Sequence, residues 1–185
     1  MAKKVYAMIA DGTEEVECLA VVDILRRAGV DVVLVSVNEG REVLTSHRIH
    51  IVCDAAVSEV DFSDADVIFL PGGVPGTPHL AACGKLTEAL KAQAKAGKRL
   101  AAICAAPSIL GELGLLQGKK ATCYPGYEPK LLGAEPVHDG VVTDGLVTTA
   151  RGLGYALDLG LELVRLLVSE KEAKDLKERI QYDQA

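Results

Sequence analysis

Short apolar runs punctuate the chain, and each meets a turn-forming residue. Val5–Ala10 stops at Asp11-Gly12, Asp31–Val37 gives way to Glu39-Gly40, and Asp66–Leu70 runs into Pro71-Gly72-Gly73. Leu100–Ile103 runs into Cys104, and Leu146–Ala150 follows Asp144-Gly145, a hairpin signal that pairs it with Pro136–Val142. Continuous runs of this length suit strands buried on both faces rather than helices. The segments between them carry a helical period. Thr13 is placed to cap a helix that reaches Ala28 and stops at Gly29, with Glu14 and Glu15 suited to its positive first turn. Thr77–Ala82 reads as a short helix, Lys85–Ala96 as an amphipathic helix closed by Gly97, and Ser108–Leu115 as a helix interrupted by Gly111 and Gly114. Arg151-Gly152 opens the last main helix, which runs to Val168 with Leu153, Leu157, Leu161, Val164 and Val168 on one face. Glu42–Val60 alternates weakly and reads as an extended or hairpin excursion, Lys119–Tyr124 as a strand, and Glu128–Leu132 as a helical turn. Ser169–Arg179 is a separate charged helix, so residues 168–185 form a C-terminal helical appendage on a single domain spanning 1–185.

Strands that alternate with helices imply a parallel sheet. The expected fold is therefore α/β, a three-layer α/β/α sandwich around a mainly parallel central sheet. Ligands in such sheets bind beyond the C-terminal strand ends. Asp11–Glu17, Pro71–Gly73, Cys104 and Cys123–Gly126 all fall there. Cys104 sits where a strand turns into a helix whose first turn holds Pro107. That corner lifts a side chain off the sheet edge, and a helix N-terminus favours the thiolate, the reactive form. The competing reading of Cys104 is a small core hydrophobe. Glu17 shares a helix face with Val21, Ile24 and Ala28. Such a carboxyl is either partly buried, with a raised pKa, or at the stripe's edge and turned to water. Gly72-Gly73 either admits a ligand to the backbone N–H groups or simply makes a tight turn.

Composition removes several function classes. The chain has 185 residues and a net charge of -6 with no basic cluster, which excludes a nucleic-acid surface. Its 49% hydrophobic content supports a sizeable core. No apolar run is long enough for a membrane span or a signal segment. Five scattered cysteines with no paired spacing suit free thiols in a reducing cytoplasm. His47 and His50 have no third metal ligand nearby in sequence and read as surface residues, so no metal is expected. His79 reads as an exposed residue within reach of the site.

DGTEEVE, DVIFLPGG, AAICAAPSILGELGLLQGKKAT and DGLVTTARGLGYALDLGLELV, in this order, resemble the ThiJ/PfpI (DJ-1/PfpI) superfamily, closest to its DJ-1 and YajL-like branch. The likeness runs from Lys4 to about Val168. It implies a flavodoxin-like fold and a homodimer. It also implies a nucleophilic, easily oxidised Cys104, a Glu17 carboxyl bonded to its sulfur, and an oxyanion site from the Gly73 and Ala105 N–H groups. Gly72, Tyr124 and Arg48 follow as accessory residues, and Cys53 as an interface cysteine. Tyr124 stands where relatives often carry a histidine. Ala105 stands where the protease-like branch has one, which counts against a peptidase. The activity implied is a cofactor-independent glyoxalase or deglycase, with small dicarbonyls or early glycation adducts as substrates. The rival from another class is a redox sensor or chaperone that works by Cys104 oxidation.

Overall fold

The computed structural model describes residues 3–182. Its first strand, β1 (Lys4–Ile9), shows how the core is divided: Val5, Ala7 and Ile9 join one apolar cluster, Tyr6 and Met8 the other. Side chains on a strand alternate between faces, so a strand apolar on both must be covered on both. One cover is made by α1 (Glu15–Arg27), whose Cys18, Val21 and Ile24 join the first cluster. After β2 (Asp31–Ser36) the chain makes a hairpin, β3 (Glu42–Leu44) and β4 (His50–Val52), and the short edge strand β5 (Ala55–Ala56). Next come β6 (Val67–Leu70), α2 (Gly76–Ala82), α3 (Gly84–Lys95), β7 (Arg99–Ile103) and α4 (Pro107–Glu112). Leu80, Leu86, Leu90 and Ile109 of these helices fill the second cluster. The remaining elements are β8 (Lys120–Ala121), β9 (Glu135–Pro136), β10 (Val141–Asp144), β11 (Val147–Ala150), α5 (Ala156–Leu167) and α6 (Glu170–Arg179).

The central sheet has seven strands in the order β10-β11-β7-β6-β1-β2-β5. Every pairing is parallel except β10 with β11, the hairpin announced by Asp144-Gly145. Helices α1, α5 and α6 cover one face and α2, α3 and α4 the other, which makes the expected α/β/α sandwich. Contact between α1 and α5 is close: a Cβ on Gly160 would stand 2.9 Å from Ile24 Cβ.

Several local expectations give way to tertiary context. Thr13 does not cap α1. Its hydroxyl accepts from the Ala10 N–H at 3.0 Å, while the Glu14 carboxylate caps the helix by accepting from the Glu17 N–H at 2.7 Å. The run Lys119–Tyr124 pairs only at β8, and with β9 rather than with the central sheet. Pro136–Val142 is accordingly two short pieces, the end of β9 and the start of β10. The helix after Cys104 ends at Glu112, short of Leu115. The last main helix begins at Ala156, after a single tight turn at Leu153–Tyr155, and Leu153 is exposed rather than part of its buried face. Ser169 caps α6, and α6 docks on the first core cluster through the buried Leu176. Residues 183–185 of the expected appendage lie outside the described residues.

Candidate active site

The site forms where β1, β6 and β7 end side by side. Cys104 follows the last residue of β7 with φ of +64°, a left-handed conformation that non-glycine residues rarely adopt. Its N–H still bonds to the Ala150 carbonyl at 2.9 Å and its carbonyl accepts from the Tyr124 N–H at 2.8 Å. The strained corner is therefore fixed on both sides, and the sulfur leaves the sheet edge half-buried. The N–H groups of Ala105 and Gly73 both donate to that sulfur, so the two expected oxyanion donors converge on one atom.

Glu17 meets the sulfur from α1. Its side chain is buried, the residue being 1% exposed, and its carboxyl is hydrogen-bonded to Cys104. The Gly72 N–H donates to Glu17 Oε2 at 3.1 Å, and the Leu153 N–H donates as well. Burial is the largest influence and raises the Glu17 pKa from 4.5 to about 7, with the Glu14 charge adding to it and the hydrogen bonds opposing it. Of the two readings of this position, the buried one is correct. Gly72 is as constrained as the pair it supports: a Cβ there would collide with Glu17 Oε2 and stand 2.6 Å from Cys104 Cβ.

The expected lowering of the Cys104 pKa does not occur. Burial, then the Glu17 charge and hydrogen bond, push the thiol up to about 12 against the pull of the Ala105 and Gly73 N–H groups. The helix that follows is only six residues long, so two discrete N–H groups act on the sulfur rather than a strong helix end. Cys104 and Glu17 thus hold one proton between them over a wide pH range. When Glu17 takes that proton, its repulsion of the thiolate disappears and its O–H can donate to the sulfur.

The accessory residues divide. Tyr124 is half exposed and lies by the mouth; a Cβ on Gly152 would stand 3.4 Å from its ring and 4.0 Å from Glu17 Oε1. Arg48 is exposed in the β3–β4 turn with φ of +64°, and among the described residues its guanidinium makes no hydrogen bond to the Glu17–Cys104 pair. His79 is also exposed, and its Nδ1 lies 2.9 Å from the Asp11 carbonyl oxygen. Cys53 is buried, and burial pushes its thiol up to about 11. Sequence reasoning missed Gly152 and the Leu153 N–H; a glycine two residues past a buried strand end was the available signal. Among the described residues no helix is long and apolar enough to cross a membrane.

Comparison with known proteins places this arrangement. The sequence model of the DJ-1/PfpI family matches residues 3–166. Arabidopsis thaliana protein DJ-1 homolog B is 40% identical over 94% of this chain, which covers 40% of that relative. The chain spans less than half the length of the Arabidopsis relatives it matches. The Caenorhabditis elegans protein named glutathione-independent glyoxalase DJR-1.2 is 32% identical, with 90% of this chain and 89% of that protein covered. The structure of oxidised Toxoplasma gondii DJ-1 superposes with a TM-score of 0.95 at 33% identity, covering 99% of this chain and all of that one. A match of sequence and fold over nearly the whole length, on the elements that carry the cysteine corner, means that this chain belongs to the DJ-1/PfpI family, in its DJ-1-like branch.

Proposed function

We propose that the protein is a cysteine-dependent enzyme that converts reactive dicarbonyls, or their early adducts, into hydroxyacids. The observation that carries this reading is the meeting of a proton-holding Glu17 and two backbone N–H donors on the Cys104 sulfur. With methylglyoxal the Cys104 thiolate attacks the aldehyde carbon and gives a hemithioacetal. The Gly73 and Ala105 N–H groups stabilise the oxyanion as it forms. Glu17 first gives its proton to that oxyanion, then as a carboxylate takes the proton from the former aldehyde carbon and returns it to the neighbouring carbon, while the hydroxyl proton passes to the ketone oxygen. The first carbon is oxidised to a thioester as the ketone carbon is reduced to an alcohol, so no external oxidant or cofactor is required. Water then cleaves the thioester, releasing lactate and the thiol. The name of the Caenorhabditis elegans relative agrees with this substrate class. Exposed Val16 and Leu19 on α1, with Ile49 and Val52 on the hairpin, support a homodimer, and unpaired thiols suit a cytoplasmic setting.

Lactate formation from methylglyoxal by wild type, Cys104→Ser and Glu17→Ala tests the proposal. Loss in both variants is expected; equal rates in all three end it. A second reading, redox sensing through Cys104, is favoured by the same two N–H donors, which suit a sulfinate, and by the oxidised state of the Toxoplasma relative. Mass spectrometry after mild peroxide treatment distinguishes it, because a sensor gains oxygen selectively at Cys104.

A further inference from the structure

Outside the Cys104 site, one group of ligating side chains converges from separate elements. Glu14 and Glu15 stand at the start of α1, and His47 lies in the turn between β3 and β4. His47 Nδ1 is nevertheless 3.0 Å from Glu15 Oε1 and 3.8 Å from Glu14 Oε1. One ligand atom from each residue lies within 4.8 Å of the others. Around an ion bound at about 2.1 Å, tetrahedral ligand atoms stand about 3.4 Å apart. The two separations bracket that distance, so small side-chain rotations suffice to seat the ion.

The carboxylates are already oriented. Glu14 Oε2 accepts from the Glu17 N–H at 2.7 Å, and Glu15 Oε2 accepts from Ser46 Oγ at 3.0 Å. Oε1 of each side chain is the oxygen nearest His47 Nδ1, which also lies 3.1 Å from Ser46 Oγ. Outer hydrogen bonds of this kind fix the direction of metal ligands. The charge balance points the same way. The two carboxylate side chains are only 13% and 7% exposed, and among the described residues neither pairs with a lysine or arginine. Buried carboxylates ordinarily face a cation. Here a largely exposed imidazole is the nitrogen partner they share.

We propose that Glu14, Glu15 and His47 form a site for a divalent transition-metal ion, with Glu14 Oε1, Glu15 Oε1 and His47 Nδ1 as its protein ligands. One imidazole with two carboxylates and no thiolate suits zinc and its neighbours rather than a soft monovalent ion. The fourth position is left to water, and neither Cys104 nor Glu17 supplies a ligand.

Calorimetric titration with zinc chloride near neutral pH tests this on wild type, Cys104→Ser, His50→Ala, His47→Ala and Glu15→Gln. One equivalent is expected for wild type, Cys104→Ser and His50→Ala. His47→Ala and Glu15→Gln should bind more than about tenfold more weakly. His47 is exposed, so its alanine variant should melt like wild type and keep the test valid if Glu15→Gln does not fold. Cobalt(II) supplies an independent readout: nitrogen and oxygen ligation gives visible bands without the thiolate charge-transfer absorption. Unchanged affinity in His47→Ala, loss of the equivalent in Cys104→Ser, or a thiolate band with cobalt would each overturn the site.

Discussion

Glu15 and Glu17 lie two residues apart on the same helix, and both are buried, at 5% and 1% exposure. Their protonation goes in opposite directions. Burial works against the charge of both. At Glu15 it is outweighed by the residue's own N–H, the Ser46 and Thr45 hydroxyls and the His47 N–H, and the pKa falls below 4.5. At Glu17 the donors are fewer and Glu14 adds repulsion, so the pKa rises to about 7. The helix turns one carboxyl toward a hairpin rich in donors and the other toward a sulfur at the sheet edge. Burial by itself does not set ionisation; the donors available at the buried position do. The same helix turn thus holds a permanent anion beside a group able to carry a proton at neutral pH.

The contrast breaks most severely in Glu17→Ala, which leaves Glu15 untouched. Methylglyoxal turnover should fall about a hundred- to ten-thousand-fold, the usual worth of a positioned acid–base group. Gly72→Ala, which drives a methyl group between Glu17 and Cys104, should cost about a hundredfold in kcat while both reacting residues remain.

Stability sharpens the contrast, because the two carboxyls give opposite pH slopes. Glu17 has a raised folded pKa, so its contribution is full below about 4.5 and is lost as the pH climbs through about 7. The shift corresponds to about 3 kcal/mol, and Glu17→Gln should remove that decline in urea unfolding between these limits. Glu15 has a depressed pKa, so its contribution is present above 4.5 and is lost as the pH falls through the lower folded value. Glu15→Gln should therefore flatten the acid limb and leave the neutral one unchanged. The smallest effect is expected from Ser46→Ala, which removes one donor to Glu15. It should cost about 1 kcal/mol at pH 7 and move the acid limb upward, as followed by denaturant midpoint. Alkylation of Cys104 gives a further check: the wild-type rate should inflect near pH 7, where Glu17 titrates, and Glu17→Gln should lose that inflection.

The parallel strands, the strand-to-helix corner at Cys104 and the inward face that holds Glu17 were legible in the order of residues. Each follows from local periodicity or turn chemistry that neighbours in the chain impose on one another. The misplacements have two causes. Thr13 has the right chemistry for a cap, but the Ala10 N–H claims its hydroxyl and the cap passes to Glu14. Lys119–Tyr124 has a strand's composition, but the strand beside β7 is β11, so the segment finds its partner in β9. The first was decided within one turn, between residues three apart, and the second by competition among distant segments for a sheet edge.

By itself the sequence determined the buried strands and so the sheet, and it nominated Cys104 and Glu17 while leaving Glu17 between burial and water. Only the folded chain decided how many donors each buried group would meet. That number set Glu15 apart from Glu17, while burial and the Glu17 charge held Cys104 up to about 12 and the fold brought His47 against two carboxylates from another element. Ionisation depends on distances of a few ångströms between groups far apart in sequence, and periodicity along one chain carries no record of those distances.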